Sequence, residues 1–137
     1  MKLETTFREI AEVLGSTTDC IDPVQGVFID SRKPSRKPDW VFLAIKGPNN
    51  DGHAYIESLA KEGIKLFIVS SSFDEEIPGA HFIKVSNTLE ALQTLAAWHR
   101  SRFDYPVIGI TGSSGKTWVK EWLYSILRHD FDVVRSP

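Results

Sequence analysis

Pro106-Val107-Ile108-Gly109-Ile110-Thr111-Gly112-Ser113-Ser114-Gly115-Lys116-Thr117-Trp118-Val119-Lys120-Glu121-Trp122-Leu123-Tyr124 reads as an apolar strand, a glycine-rich turn and the opening of a helix. Val107, Ile108 and Ile110 make the strand apolar, and Val119, Leu123, Ile126 and Leu127 recur afterwards at helical spacing. Such a turn presents backbone N–H groups, and the first turn of the helix adds its own. Partial positive charge therefore converges where a phosphate chain would lie. Gly112, Ser113, Ser114, Gly115, Lys116 and Thr117 are the candidate triphosphate site. Lys116 brings a full charge to the terminal phosphates and is the candidate catalytic residue, and the Thr117 hydroxyl is the candidate ligand of a Mg²⁺ ion. The general phosphate-loop template reserves a glycine for the position of Ile110, so the flanking strand and helix carry the reading. The alternative is a Gly-Ser turn that happens to precede a lysine.

Working back from this loop, the chain alternates helix and strand. A helix is predicted over residues 88–102, with Leu89, Leu92, Leu95, Ala96 and His99 among the positions facing a core. Residues 65–69 and 82–85 read as strands separated by the Pro78-Gly79 break, and a helix over residues 53–62 is stopped by Gly63. Lys46-Gly47-Pro48-Asn49-Asn50-Asp51-Gly52 is dense in turn formers and reads as a loop. Upstream lie predicted strands over residues 26–30 and 40–45, and a short helix opened by Thr5-Thr6 with Glu9 and ended by Gly15. Residues 131–134 read as a further strand.

The pattern restarts around residues 103–105. The expectation is an α/β chain of two units: 1–104, a complete small domain, and 105–137, the first strand, phosphate loop and helix of a parallel nucleotide-binding sheet. A sheet of that type needs several such units to cover both faces. The chain is therefore expected to be the N-terminal piece of a longer protein.

The 137 residues, 42% hydrophobic and 25% charged, have the make-up of a folded globular protein. A formal net charge of -2 gives no basic field for nucleic acid. Arg32, Lys33, Arg36 and Lys37, interrupted by Pro34 and Pro38, read as a solvated loop. The single cysteine, Cys20, excludes an internal disulfide, fits a reducing compartment and is assigned no role. The N-terminal residues form no apolar leader and no stretch is long enough to span a membrane, so a cytoplasmic protein is expected. His53, His81, His99 and His129 lack metal-ligand spacing and are expected to be structural or exposed, His53 alone adjoining the turn-rich loop. Trp118 and Trp122, one helical turn apart, read as packing residues against a remainder of the protein. Nothing in the sequence points to an oligomeric state.

A second candidate site lies upstream. Asp30-Ser31-Arg32, at a predicted strand end, offers a hydroxyl and a guanidinium suited to phosphate, and Asn49 and Asn50 can pair with a pyrimidine edge. Taken on their own, the same residues read first as turn devices, Asp30 and Ser31 capping one turn and Asn49-Asn50-Asp51-Gly52 forming another.

Two segments together resemble one family. Thr111-Gly112-Ser113-Ser114-Gly115-Lys116-Thr117, followed by Val119-Lys120-Glu121, is similar to the ATP loop of the Mur ligases in their MurF form. That loop, Thr-Gly-x-x-Gly-Lys-Thr, lacks the first glycine of the general template, which accounts for Ile110. Asp30-Ser31-Arg32, then Val41-Phe42-Leu43-Ala44-Ile45-Lys46-Gly47, then Asp51-Gly52-His53 resemble the family's N-terminal domain in order and spacing, so the resemblance spans the chain. It implies an ATP-dependent amide ligation in cytoplasmic peptidoglycan precursor synthesis. ATP with Mg²⁺ phosphorylates the carboxylate of UDP-N-acetylmuramoyl-tripeptide, and D-alanyl-D-alanine attacks the acyl phosphate.

By the same resemblance, Gly112, Ser113, Ser114, Gly115, Lys116 and Thr117 hold ATP and its metal, and Ser31, Arg32, Lys46, Gly47, Asn49, Asn50 and Asp51 lie at the uridine nucleotide. The family's later residues have no counterpart here, so this polypeptide alone is expected to be catalytically incompetent. Two other readings stay open: a stand-alone UDP- or ATP-binding module, and a ligase of the MurE or folylpolyglutamate synthetase type. Some MurF-like ligases are fused to an alanine racemase, and the run from Lys116 to Trp122 resembles that group. Pyridoxal phosphate is a cofactor only if such a domain follows.

Overall fold

Four short parallel strands, the inner two apolar on both faces, set the architecture of a computed structural model that describes residues 2–32, 38–47 and 50–136. Lys33, Arg36 and Lys37 of the basic loop and Asn49 of the expected uridine site lie outside the described residues. The chain divides into two compact units, Met1–Phe103 and Asp104–Pro137. The first contains β1 (Lys2–Thr6), α1 (Phe7–Val13), β2 (Pro23–Phe28), β3 (Trp40–Leu43), α2 (Ile56–Lys61), β4 (Leu66–Ser70), β5 (His81–Val85) and α3 (Thr88–Ser101). Its strands form one sheet in the order β1-β2-β3-β4-β5, with β1 antiparallel to β2 and each later neighbour parallel.

Pleating sends successive side chains to opposite faces, so each strand feeds two cores. Val27, Val41, Leu43, Leu66, Ile68, Ile83 and Val85 face one core, which Phe7, Ile10 and Ala11 of α1 and Ala91 and Leu95 of α3 complete. Phe42, Ala44, Phe67 and Val69 face the other, covered by Ile56 and Leu59 of α2 with Ile64 and Phe73. On this second face the register aligns Phe28, Phe42, Phe67 and Phe82 across four strands. Their rings follow one another at centroid distances of 5.2, 6.4 and 5.4 Å, spacings at which aromatic pairs add to simple burial. Cys20 is buried in the first core, where desolvation raises its thiol pKa.

Local sequence explains most boundaries. Thr6 caps α1 in a reciprocal box: its hydroxyl accepts from Glu9 N at 3.2 Å and the Glu9 carboxylate accepts from Thr6 N at 3.1 Å. Gly15 follows the helix with φ 66°, the left-handed conformation that a helix exit favours. Asn87 caps α3 through Leu89 N and Glu90 N.

Three expectations change. β1 was not foreseen, because five residues with little apolar content become a strand only by pairing with β2. The buried stripe of α3 is Thr88, Ala91 and Leu95, with Leu92 and Trp98 packed beside it, whereas Leu89 is 50% exposed and Ala96 lies on the outer face. The helix is thus rotated so that small Thr88 and Ala91 meet the sheet. Residues 107–110 and 131–134 pair with no strand among the described residues, and Val107, Ile108 and Phe131 stand exposed. A single extended segment without a neighbouring strand has no partner for its backbone.

The second unit does contain the expected loop helix, α4 (Lys116–Leu127), with Trp118 and Trp122 exposed on it. Its last residues fold back along α4, where Lys120 Nζ donates to the Ser136 carbonyl at 3.0 Å, Arg135 pairs with Glu121, and the Arg135 guanidinium lies 4.5 Å over the Tyr124 ring.

Phe67 is fully buried at the centre of the aromatic row. Phe67→Ala is expected to cost about 3–5 kcal/mol in denaturant unfolding, with an unchanged slope. A loss below about 1 kcal/mol would show that the row does not hold the sheet together.

Candidate functional site

Because β2, β3 and β4 are parallel neighbours, the segments leaving their C-terminal ends emerge along one edge, the edge where open parallel sheets receive ligands. After β2 comes Asp30-Ser31-Arg32. Asp30 Oδ1 accepts from Arg32 N and from Arg32 Nε, each at 3.0 Å, closing a turn and fixing the stem of the guanidinium. The Arg32 side chain is nevertheless 88% exposed. The hydrogen bond and charge of Asp30 raise the Arg32 pKa further above its usual value.

After β3 the chain forms a closed loop. Gly47 N donates to the Asn50 carbonyl at 2.8 Å, Gly52 N donates to the Ile45 carbonyl at 2.9 Å, and Lys46 and Asp51 face each other as an antiparallel bridge. Gly52 is required here by close approach. A Cβ at this position would lie 2.9 Å from Ile45 N and 3.0 Å from both Ala44 Cα and Ile45 O, all backbone atoms. Tyr55 donates its hydroxyl to Asn50 Oδ1 at 3.2 Å. Ser31 and Arg32 thus follow β2, and Lys46, Gly47, Asn50 and Asp51 follow its neighbour β3, at the same end of the sheet.

One clamp fixes the β3 loop. Asp51 Oδ1 accepts from His53 N at 3.0 Å, capping a 3-10 turn over Gly52–Tyr55, and lies 2.5 Å from His53 Nδ1. His53 Nε2 accepts from Ser70 N, at the end of β4, at 3.0 Å. With Nε2 accepting a backbone N–H, the ring proton belongs on Nδ1, where it is donated to the carboxylate. The imidazole is mostly buried and lies 5.7 Å from the Phe73 ring. His53 hydrogen bonds, first from the side chain and then from the backbone, hold the Asp51 carboxyl below its usual pKa.

The first turn reading is thus realised at Asp30, while Asp51 caps the turn over Gly52–Tyr55, the expected turn over residues 49–52 lying partly outside the described residues. Sequence reasoning gave His53 no such part. The available signal was the Asp51-x-His53 spacing, which lets one carboxylate cap a turn and hold the ring of the residue two positions on.

In the second unit Gly112, Ser113, Ser114, Gly115, Lys116 and Thr117 are contiguous at the start of α4. Gly115 is the N-cap with φ 78°, left-handed backbone, and it contributes no side-chain cap. The first-turn N–H groups accordingly face outward without a side-chain acceptor, which is what an anionic ligand needs. Lys116 Nζ donates to the Gly112 carbonyl, so the ammonium is already folded over the loop. The residues present fit a nucleotide phosphate, and Thr117, in the exposed first turn, is available to a bound cation. These residues and those around Arg32 and Lys46 belong to different units, each a group of its own.

Comparison with known proteins extends the geometry. The UDP-N-acetylmuramoyl-L-alanyl-D-glutamate–2,6-diaminopimelate ligase of Phocaeicola vulgatus is 30% identical over 132 residues, covering 93% of this chain and 26% of that protein. The UDP-N-acetylmuramoyl-tripeptide–D-alanyl-D-alanine ligase of Rickettsia prowazekii is 40% identical over 104 residues, covering 76% of this chain and 22% of that protein. Among solved structures, MurF from Acinetobacter baumannii superposes with a TM-score of 0.76 at 27% identity, covering 94% of this chain and 28% of that one. MurF ligase from Thermotoga maritima, solved in complex with ADP, gives 0.65 at 32% identity, covering 81% and 25%. The chain spans roughly a quarter of the length of these relatives. Residues 23–100 match the model of the Mur ligase family, catalytic domain. With more than half of its length matched, the chain belongs to the Mur ligase family.

Proposed function

We propose that this chain is the N-terminal part of a cytoplasmic ATP-dependent ligase that joins D-alanyl-D-alanine to UDP-N-acetylmuramoyl-tripeptide in peptidoglycan precursor synthesis. Residues 1–104 recognise the UDP portion, and residues 105–137 open the ATP site. The observation that carries the reading is the uncapped start of α4, with Lys116 folded over the Gly112 carbonyl, in the same chain as the Arg32 and Lys46 loops. Similarity to MurF-named proteins and to one solved with ADP supports it.

In this reading Arg32 and Lys46 face the pyrophosphate, Ser31 donates a hydroxyl, and the Asn50 amide reads the base edge. Lys116 leaves the Gly112 carbonyl for the phosphate chain and offsets charge that develops as a phosphoryl group moves. Bound ATP supplies the phosphoryl group that turns a carboxylate oxygen into a phosphate leaving group, with Mg²⁺ held at Thr117. In this reading the chain supplies one part of the ligase, in keeping with its covering 26% and 28% of two relatives.

The diaminopimelate-adding relative favours a second reading, in which the same UDP site serves an acceptor one residue shorter. Calorimetry separates the two. The full-length ligase is expected to bind UDP-N-acetylmuramoyl-tripeptide more tightly than the dipeptide form, and the reverse order supports the second reading. Failure to bind either would overturn the UDP assignment.

Three further outcomes follow. In the full-length ligase, Lys116→Ala is expected to lower turnover by roughly 100-fold or more and leave affinity for the UDP substrate unchanged. Loss of both would contradict two separate sites. Gly52→Ala, which forces backbone apart beside Ile45, is expected to weaken UDP-substrate binding by about tenfold or more, ~1.4 kcal/mol; unaltered affinity would detach that loop from the substrate.

The third outcome concerns pH. Since the folded state depresses the Asp51 pKa, its contribution to stability is complete above the ordinary carboxylate range and is lost as pH falls through the lowered value. The stability difference between wild type and Asp51→Asn is expected to hold steady at neutral pH and to shrink below roughly pH 4. A difference that widens on acidification would show that the carboxylate is not the stabilising form.

A further inference from the structure

The end of the sheet opposite the Arg32 and Lys46 loops carries a second constellation. Cys20 and Asp22 lie just ahead of β2, and His81 opens β5. These residues are remote in sequence, yet one ligand atom from each, a sulfur, a carboxylate oxygen and an imidazole nitrogen, lies within 4.8 Å of the other two. Cys20 and His81 also line a cavity of about 770 Å³ whose other walls include Asp19, Asp74, Glu75 and Glu76. Lys84, the basic residue of that lining, is paired to Asp74 at 3.1 Å. The surroundings are therefore acidic and open to solvent on one side.

We propose that Cys20, Asp22 and His81 form a site for a single thiophilic divalent cation of the zinc class. The choice of ion follows from the donors. A thiolate and an imidazole select zinc or a similar borderline metal over Mg²⁺ or Ca²⁺, which take oxygen donors. Zn–S near 2.3 Å and Zn–N near 2.0 Å put the donor atoms of a tetrahedral shell roughly 3.5 Å apart. Atoms already within 4.8 Å reach that geometry by small side-chain rotations, the exposed His81 and Asp22 having room to move. Three protein donors leave a fourth position for water or a neighbouring carboxylate. The ion would tie the segment before β2 to the start of β5, two segments that the sheet itself keeps apart by β3 and β4. Its role is to brace the sheet, outside the ligation chemistry.

The test uses the 137-residue chain freed of metal, with Zn²⁺ followed by calorimetry and thermal unfolding, and Co²⁺ as a spectroscopic substitute. The expected result is one Zn²⁺ per chain, a raised midpoint of unfolding, and a thiolate-to-cobalt charge-transfer band. Excess Mg²⁺ leaves all three in place. Cys20→Ser is expected to abolish the band. His81→Ala, at an exposed position that the fold does not need, is expected to weaken Zn²⁺ by at least the roughly 10–100-fold that loss of an outer partner costs. No saturable binding, binding insensitive to His81→Ala, or a cobalt complex without the thiolate band would each overturn the proposal.

Discussion

The structure depends on a sheet that must be covered on both faces at once. In β3 and β4 every residue but Trp40 and Ser70 is buried, Val41, Leu43, Leu66 and Ile68 against α1 and α3, and Phe42, Phe67 and Val69 against α2. A slip of one residue between these strands would turn the phenylalanine row toward the wrong layer, so the register is strongly specified. The aligned Phe28, Phe42, Phe67 and Phe82 make that specification concrete, because four large rings fit on one face only in this alignment.

Fixed register fixes the places where the strands end, and the candidate UDP loops inherit their positions from it. His53 makes the inheritance explicit. It accepts the backbone N–H of Ser70 at the end of β4 and holds the carboxylate that caps its own turn, so the β3 loop is referenced to the next strand. An unpaired buried donor costs about 1–3 kcal/mol, which opposes release of that contact. Gly52 adds a steric limit from the other side, since no larger residue fits against Ala44 and Ile45. The phosphate loop follows a different logic. Its charge comes from the open start of α4 and from Lys116, and it needs only a left-handed glycine at the cap.

Where a local device decides the structure, the sequence is legible. The Thr6–Glu9 box, the Gly15 exit and the glycine-rich start of α4 are each visible in a few consecutive residues, and each is formed. The alternation of strands and helices, and with it the α/β class, follows from the apolar runs. β1 and the rotation of α3 were not legible, because pairing with β2 and the fit of Thr88 and Ala91 against the sheet are decisions of tertiary packing. The aromatic row was hidden for a related reason: its members are visible, but their alignment depends on register between segments far apart. The same holds for His81, which meets Cys20 and Asp22 only once β5 has been placed. Asp30 and Asp51 show the converse case, in which a turn-capping role and a place beside a ligand loop were both readable and local spacing favoured the first.

The central claim is that the UDP substrate lies at the C-terminal ends of β2 and β3. Amide chemical-shift mapping of the isotope-labelled chain, titrated with UDP-N-acetylmuramoyl-tripeptide, tests it most directly. The account predicts that the perturbed amides cluster at Ser31, Arg32, Lys46, Gly47, Asn50 and Asp51 and extend to Ser70 through His53. Perturbations confined to the other end of the sheet, or to the start of α4, would contradict it.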